Sequence, residues 1–350
     1  MPNPRAHAII AAQGGVIRRD QLLDCGLGPS ELARLRRNGA LVGVRRGVVT
    51  TAEIWDALDI WVGRPRLRAR AAILTMRRGW VLSHDSSAHE QELPILTPQD
   101  PHVHITRPGF TNAWTENGVK HHLARFAARQ VVTIDGRPML DLPRTAVDIA
   151  RERGVEHGVV ACDSAMQRGV TRAELEAAYA VMENWPGVRA TREAVALADP
   201  GAENPNESLA RLLVLEAGIG IPETQFPVRT AEGVRWCDLR VGNHVIEAHG
   251  KVKVVPRSAG GVADVGAAEV LFAERKRERL LCDERLGVTN LYWEDYWGAR
   301  RTAAIERLRR DHADTVERFG AELDERLARE AAAIRSEYGA RRAGHRPRPA

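Results

Sequence analysis

The chain has 350 residues, 28% charged and 44% hydrophobic, with a formal net charge of +5 and an isoelectric point near 9.3. That length suffices for two or three cores, and the composition excludes a low-complexity disordered chain, while no apolar run is long enough for a bilayer span. Cys25, Cys162, Cys237 and Cys282 are scattered singly, which excludes a zinc knuckle and a disulfide framework. The N-terminus MPNPRAHAII carries no secretory leader, so a reducing cytoplasm is the expected location, with no membrane partner. The basic balance favours a polyanionic partner, weakly.

From the N-terminus, one helical pattern over residues 5–12 stops at Gly14-Gly15, and a second over about residues 19–25 ends at Gly26. A third, SELARLRRNG, takes Ser30 as N-cap and closes at Gly39, after which LVGVRRGVV alternates as a small hairpin. Three short helices and a hairpin over residues 1–52 predict a winged helix-turn-helix. Residues 1–50 hold eight arginines against three acidic residues, a local excess of five. Arg34, Arg36 and Arg37 lie on the third helix, and Arg45 and Arg46 at the wing. A helix in the major groove with a basic wing on the phosphates needs this layout, so these five are the expected contacts to double-stranded DNA. The competing reading is a small helical domain with a solvated basic face.

Residues 65–198 read as a mixed α/β layer. An Arg-rich helix, about Pro65–Arg78, leads into WVLSHDSSAHEQELPIL, then alternating runs at HVHITRP and GVKHHLARF. LPRTAVDIARERG and VEHGVVACDSAMQRGVTRAELEAAY are both helical. His84, His89, His102, His104, His121 and His122 fall in no metalloprotease-like pattern, and His102 and His104 alternate on one strand face; structural histidines are the expectation. Ser83-His84-Asp85 cannot form a hydrolytic triad merely by adjacency. Asp141, Asp148 and Asp163 are expected to cap helices or pair with Arg144 and Arg172.

The segment GGVIRRDQLLDCGLGPSELARLRRNGALVGVRRGVV resembles the N-terminal winged helix of AbiEi-family antitoxins. The later order, a SHxSA-like turn, HVHITRP, PRTAVDIAR and CDSAMQRGVT, resembles the remainder of that family. The resemblance implies a type IV toxin–antitoxin system, repression of its own promoter, and a nucleotidyltransferase-like toxin as partner.

DPGAENPNE reads as a boundary that caps a new helix, ESLARLLVLEAG, ending at Gly218. Glu207 and Arg211, spaced i,i+4, are read as a surface ion pair. Strands follow at TQFPVRT, VRWCDLRV and HVIEAH, then a charged helix over roughly 263–286 and a strand VTNLYW. The order over residues 203–298 is α-β-β-β-α-β. Gly242-Asn243 is a two-residue hairpin turn that sets Val241 against His244 and Asp238 against Glu247. Opposed carboxylates with Cβ atoms about 4.5–5.5 Å apart repel, and a divalent cation is one natural compensation. Arg240, diagonal to Glu247, is the metal-free alternative on a charged sheet edge. His249, Lys251 and Lys253 share the face of Glu247.

The succession of a helix Glu, a strand Asp, a Glu-x-x-Gly strand, a Lys and a charged helix resembles the very-short-patch-repair-like endonuclease domains of the PD-(D/E)XK class. The resemblance implies Asp238 and Glu247 as ligands of Mg²⁺, Glu207 as the helix carboxylate and Lys253 at the scissile phosphate, with Glu274 and Arg277 or Lys276 on the following helix. That family reads Glu-x-Asp-Gly where this chain has Glu247-Ala248-His249-Gly250, a departure that removes an oxygen ligand a hard cation prefers.

Residues 299–350 begin as one charge-laced helix, Arg300–Tyr338. Ile305, Leu308, His312, Val316, Phe319, Leu323 and Leu327 form a narrow stripe that docks on the nuclease-like core, or on a second copy of the chain. GARRAGHRPRPA is basic, Pro-rich and expected to be disordered. The fold expected is thus α/β, of the α+β multidomain kind. The function expected is a DNA-binding regulator of the antitoxin type with an endonuclease-like C-terminal domain, or alternatively an active Mg²⁺-dependent endonuclease targeted by its winged helix.

Overall fold

The computed structural model describes residues 3–76, 79–110, 112–250 and 267–344. It is a mixed α/β chain in two compact units, residues 1–198 and 199–350. No helix among the described residues is long and apolar enough to cross a membrane.

The first unit opens with α1 (Pro4–Ala12), β1 (Ile17–Arg18), α2 (Arg19–Asp24), α3 (Pro29–Arg37), β2 (Leu41–Arg45) and β3 (Val48–Thr51), the strands ordered β1-β3-β2. Leu32 and Leu35 turn one face of α3 into a core with Ile10, Ile17, Leu22 and Val49. Ser30 is not the N-cap: Gly28 caps α3 and Pro29 takes the first helical position, where a missing N–H costs nothing. Gly39, at φ +77, ends the segment as expected.

Two helices, α4 (Ala52–Ala57) and α5 (Gly63–Ile73), lead to a six-stranded mixed sheet. Its strands are β4 (Val81–Leu82), β5 (Val103–Arg107), β6 (Asn112–Glu116), β7 (Val119–Leu123), β8 (Val131–Ile134) and β9 (Arg137–Leu140), in the order β6-β7-β5-β4-β9-β8. After β4 the chain forms α6 (His84–Glu90), and after β9 a cluster of α7 (Leu142–Arg153), α8 (Val155–Gln167), α9 (Arg172–Tyr179) and α10 (Val188–Leu197). The long helical stretch expected beyond residue 155 is two helices, because Gly169 takes φ +94 and Thr171 starts a new capping box with Glu174. Asp141 caps α7, and Arg144, fully buried, donates to Asp148 Oδ2 at 2.9 Å and to the carbonyl of Arg125 at 2.9 Å. Arg172 donates to the carbonyls of Val195 and Ala198.

The second unit runs α11 (Pro205–Ala217), β10 (Glu223–Thr230), β11 (Gly233–Val241), β12 (His244–His249), α12 (Ala267–Asp283) and β13 (Gly287–Tyr292). The sheet order is β10-β11-β12-β13, antiparallel twice and then parallel. Val241 pairs with His244 across Gly242-Asn243, so the turn and register are as read. The expected single C-terminal helix is two, α13 (Gly298–Phe319) and α14 (Glu325–Gly344), broken where Gly320 adopts φ +88. Ile305, Leu308 and Leu327 are buried in the second unit, and α14 covers Phe226, Val245 and Leu281 through Leu327 and Ala331. Residues 339–344 of the expected disordered tail continue α14, and 345–350 lie outside the described residues.

The hairpin turn and that helix break hold each other. Asn243 Nδ2 donates to the carbonyls of Phe319 (3.0 Å), Gly320 (3.0 Å) and Glu322 (2.7 Å). Gly242 sits at φ +56, and a Cβ there would lie 2.2 Å from the carbonyl oxygen of Ala321. Gly242→Ala is therefore expected to destabilise the protein by more than about 1 kcal/mol, read as a lower denaturant midpoint; an unchanged midpoint refutes this account of the turn.

Candidate nucleic-acid interface and acidic hairpin

The backbone N–H of Arg19 donates to the carbonyl of Gly47 (2.9 Å), bringing the start of α2 beside the wing turn. With the outer face of α3, this closes a concavity of about 590 Å³ over Leu22, Leu32, Leu41 and Val49. Arg19, Arg36, Arg45 and Arg46 line it, with no acidic side chain among the described residues. The four charged side chains that line it are all cationic.

Three of the five expected arginines thus converge. Arg34 and Arg37 lie exposed on α3 outside the hollow, and Arg34 stands 3.9 Å from Glu31. Arg45 Nη1 donates to the carbonyl of Asn117 at 2.9 Å, tying the wing to the β6–β7 turn. A second hollow of about 610 Å³ shares Arg45 and Arg46 and adds Arg68. Arg19 and Arg68 were missed in the sequence. Arg19 belongs to the Arg18-Arg19 pair, but nothing local places it at the wing; Arg68 is one of several arginines on an Arg-rich helix.

In the second unit, Asp238 and Glu247 are the next positions outward from the Leu239↔Ile246 pair. Their partners differ. Asp238 Oδ2 accepts from the backbone N–H of Ala248 (2.8 Å). The buried Glu247 carboxylate meets Arg277 Nη2 through both oxygens, at 3.0 and 2.9 Å. The same guanidinium donates to the carbonyl of Trp236 (2.6 Å). Arg277, on α12, thus holds the charge that the sequence offered to Arg240; Arg240 instead pairs with Glu223 and bonds the carbonyl of Gly242 (2.7 Å). His249 Nε2 lies 2.9 Å from Asn290 Oδ1. Lys253 and the Glu274 side chain lie outside the described residues.

Glu207 sits in the first turn of α11, below the Asn204 cap. Glu207 and Arg211 are 5% and 4% exposed, so their spacing is no surface pair. Glu207 Oε2 accepts from the N–H of Glu203 (2.7 Å) and from Gln225 Nε2 (3.0 Å). Burial, and then the charge of Asp238, push its carboxyl up to about 7. The carboxyl of Glu207 thus feels the charge of Asp238, while that of Glu247 is held by Arg277.

Residues 6–52 match the family model described as "Transcriptional regulator, AbiEi antitoxin". Two curated proteins of Mycobacterium tuberculosis, the uncharacterized proteins MT2308 (strain CDC 1551) and Rv2248 (strain H37Rv), are each 31% identical over 201 residues, 57% of this chain and 69% of the relative. The crystal structure of the RV2827C protein from Mycobacterium tuberculosis aligns at a TM-score of 0.35 and 19% identity, over 59% of this chain and 78% of that one, too distant to bear on function. The chain belongs to the same family as MT2308 and Rv2248, and its N-terminal domain is of the AbiEi regulator type.

Because the fold raises the Glu207 carboxyl from 4.5 to about 7, the native state binds a proton that the unfolded chain has released between those values. Stability therefore falls as pH rises through that window, and Glu207→Gln removes this part of the slope. Melting temperatures measured from pH 4.5 to 7.5 check it; parallel profiles for the two proteins refute it.

Proposed function

We propose that this family member is a double-stranded-DNA-binding transcriptional regulator of the antitoxin type, its first unit gripping DNA in the hollow between α3 and the wing. The observation that carries the reading is the convergence of Arg19, Arg36, Arg45 and Arg46 in a concavity with no acidic lining among the described residues. Each guanidinium set against a phosphate releases condensed counterions, which supplies most of the non-specific affinity. Of the exposed positions on α3, Ala33 and Arg36 line the hollow, where the small Ala33 permits close approach and the long Arg36 can reach base edges, while Arg45 and Arg46 take the backbone. The AbiEi match supports a regulator. A type IV system acting in the cytoplasm with a nucleotidyltransferase-like toxin follows from the family resemblance.

The second unit has the αβββαβ order expected of a PD-(D/E)XK domain, and we assign it that ancestry. A Mg²⁺-dependent endonuclease is the second reading, favoured by the charge of Asp238 acting on the Glu207 carboxyl. Those two carboxylates would hold the ion, which when bound would lower the pKa of a water or stabilise a leaving oxygen. The hold of Arg277 on Glu247, and His249 where a carboxylate is expected, favour the regulator without cleavage.

In gel shifts against its own promoter fragment, Arg36→Ala with Arg46→Ala is expected to weaken binding and to flatten the dependence of log K on log salt by about 1, the share of the Arg46 phosphate contact. No shift with any DNA at low salt refutes the regulator. Incubation of the same DNA with Mg²⁺ or Mn²⁺ separates the readings. Cutting that Glu207→Gln abolishes establishes the endonuclease, and binding without cutting removes it.

A further inference from the structure

Three histidines far apart in sequence meet in the first unit. His84 opens α6 directly after β4, His104 lies on β5 and His122 on the adjacent parallel strand β7. His104 and His122 leave the sheet on the face opposite Val103, Ile105 and Val119, which pack on Ala69 and Ala72 of α5. All three are buried, at 1%, 2% and 2% exposure. Among the described residues they form the group in which one donor atom of each lies within 4.8 Å of the others.

We propose that His84, His104 and His122 form a binding site for a borderline divalent transition metal, Zn²⁺ in the first instance. Imidazole suits such ions, whereas Mg²⁺ demands oxygen. Burial is the leading cause that lowers all three side chains from the ordinary histidine value, His122 to about 4, so each is held neutral, the form that ligates.

The bonding around the three rings has a gap that an ion fills. His104 Nδ1 and His122 Nε2 face each other at 3.0 Å, and His84 Nδ1 lies 3.0 Å from Ser83 Oγ. His84 Nε2 is buried with no hydrogen-bond partner among the described residues. A buried ring nitrogen left without a partner is destabilising. His84 also holds φ +47, a strained conformation for a non-glycine residue that concentrates at ligand sites.

Tetrahedral zinc keeps two imidazole nitrogens about 3.4 Å apart, given Zn–N bonds of about 2.0–2.1 Å. Small turns about the soft χ2 torsions bring the rings to that spacing. The proton shared by His104 and His122 then passes to the far nitrogen of the ring that carried it, and every ring stays neutral. Ser83 orients His84 through its other nitrogen, the usual outer-shell support of a metal-bound histidine.

The charges around the rings largely offset one another. Arg144 and Arg151 act on His84, Arg153 and Lys120 on His104, and Glu152 and Asp148 together with Arg151 and Lys120 on His122. The cations have acids of their own: Arg144 and Arg151 share Asp148, Arg153 holds Asp85, and Lys120 holds Glu152.

Full-length protein without a histidine tag is incubated with excess Zn²⁺, desalted and measured for metal. One zinc per chain is expected in the wild type and in His89→Gln, whose imidazole lies outside the triad, with none in His104→Gln and no Mg²⁺ retained. A zinc-free wild type overturns the proposal, as does full retention in His84→Gln, His104→Gln and His122→Gln alike. Should the variants fail to fold, X-ray absorption on the zinc-loaded wild type decides. Three imidazole nitrogens at about 2.0 Å uphold the site, and fewer than three overturn it.

Discussion

The amide of Asn243 meets the carbonyls of residues 319, 320 and 322, and the second unit depends on that contact. A one-residue slip in the β11–β12 pairing would send every side chain of the hairpin to the other face. Gly242 supplies the positive φ of the turn, and Asn243 anchors it to the chain reversal between α13 and α14. The register that aligns Asp238 with Glu247 is thereby specified twice, by the turn residues and by the helices that cover them.

Local patterns made much of the fold legible. Helix-stopping glycines, the alternation at LVGVRRGVV and the Gly242-Asn243 turn act over a few residues, and each sits where its chemistry predicts. The failures also have local causes. Ser30 loses the cap because Pro29 fits the first helical position better, and the C-terminal helix breaks because one glycine takes a left-handed conformation. Proline chemistry outweighed a side-chain cap, and backbone freedom outweighed a continuous apolar stripe.

The candidate sites were less legible because they are non-local. Arg34 and Arg37 read like Arg36, yet only Arg36 turns toward the wing. Glu247 takes its cation from α12, 30 residues along the chain, where the nearest candidate in sequence is Arg240. The histidines looked ordinary because spacing reports neighbours along a strand, whereas His84 joins His104 and His122 through a sheet order no motif announces. Buried charges and imidazoles recruit partners by burial, and burial is decided only once the layers assemble.

The bond from Arg45 to the carbonyl of Asn117 reaches beyond its own strength. A wing left free would surrender conformational freedom on meeting a ligand. Here the finger is moored to the neighbouring sheet beforehand, so part of that entropic toll falls on folding instead of on encounter. A ligand of the kind proposed for this hollow would meet a wing already anchored at its tip.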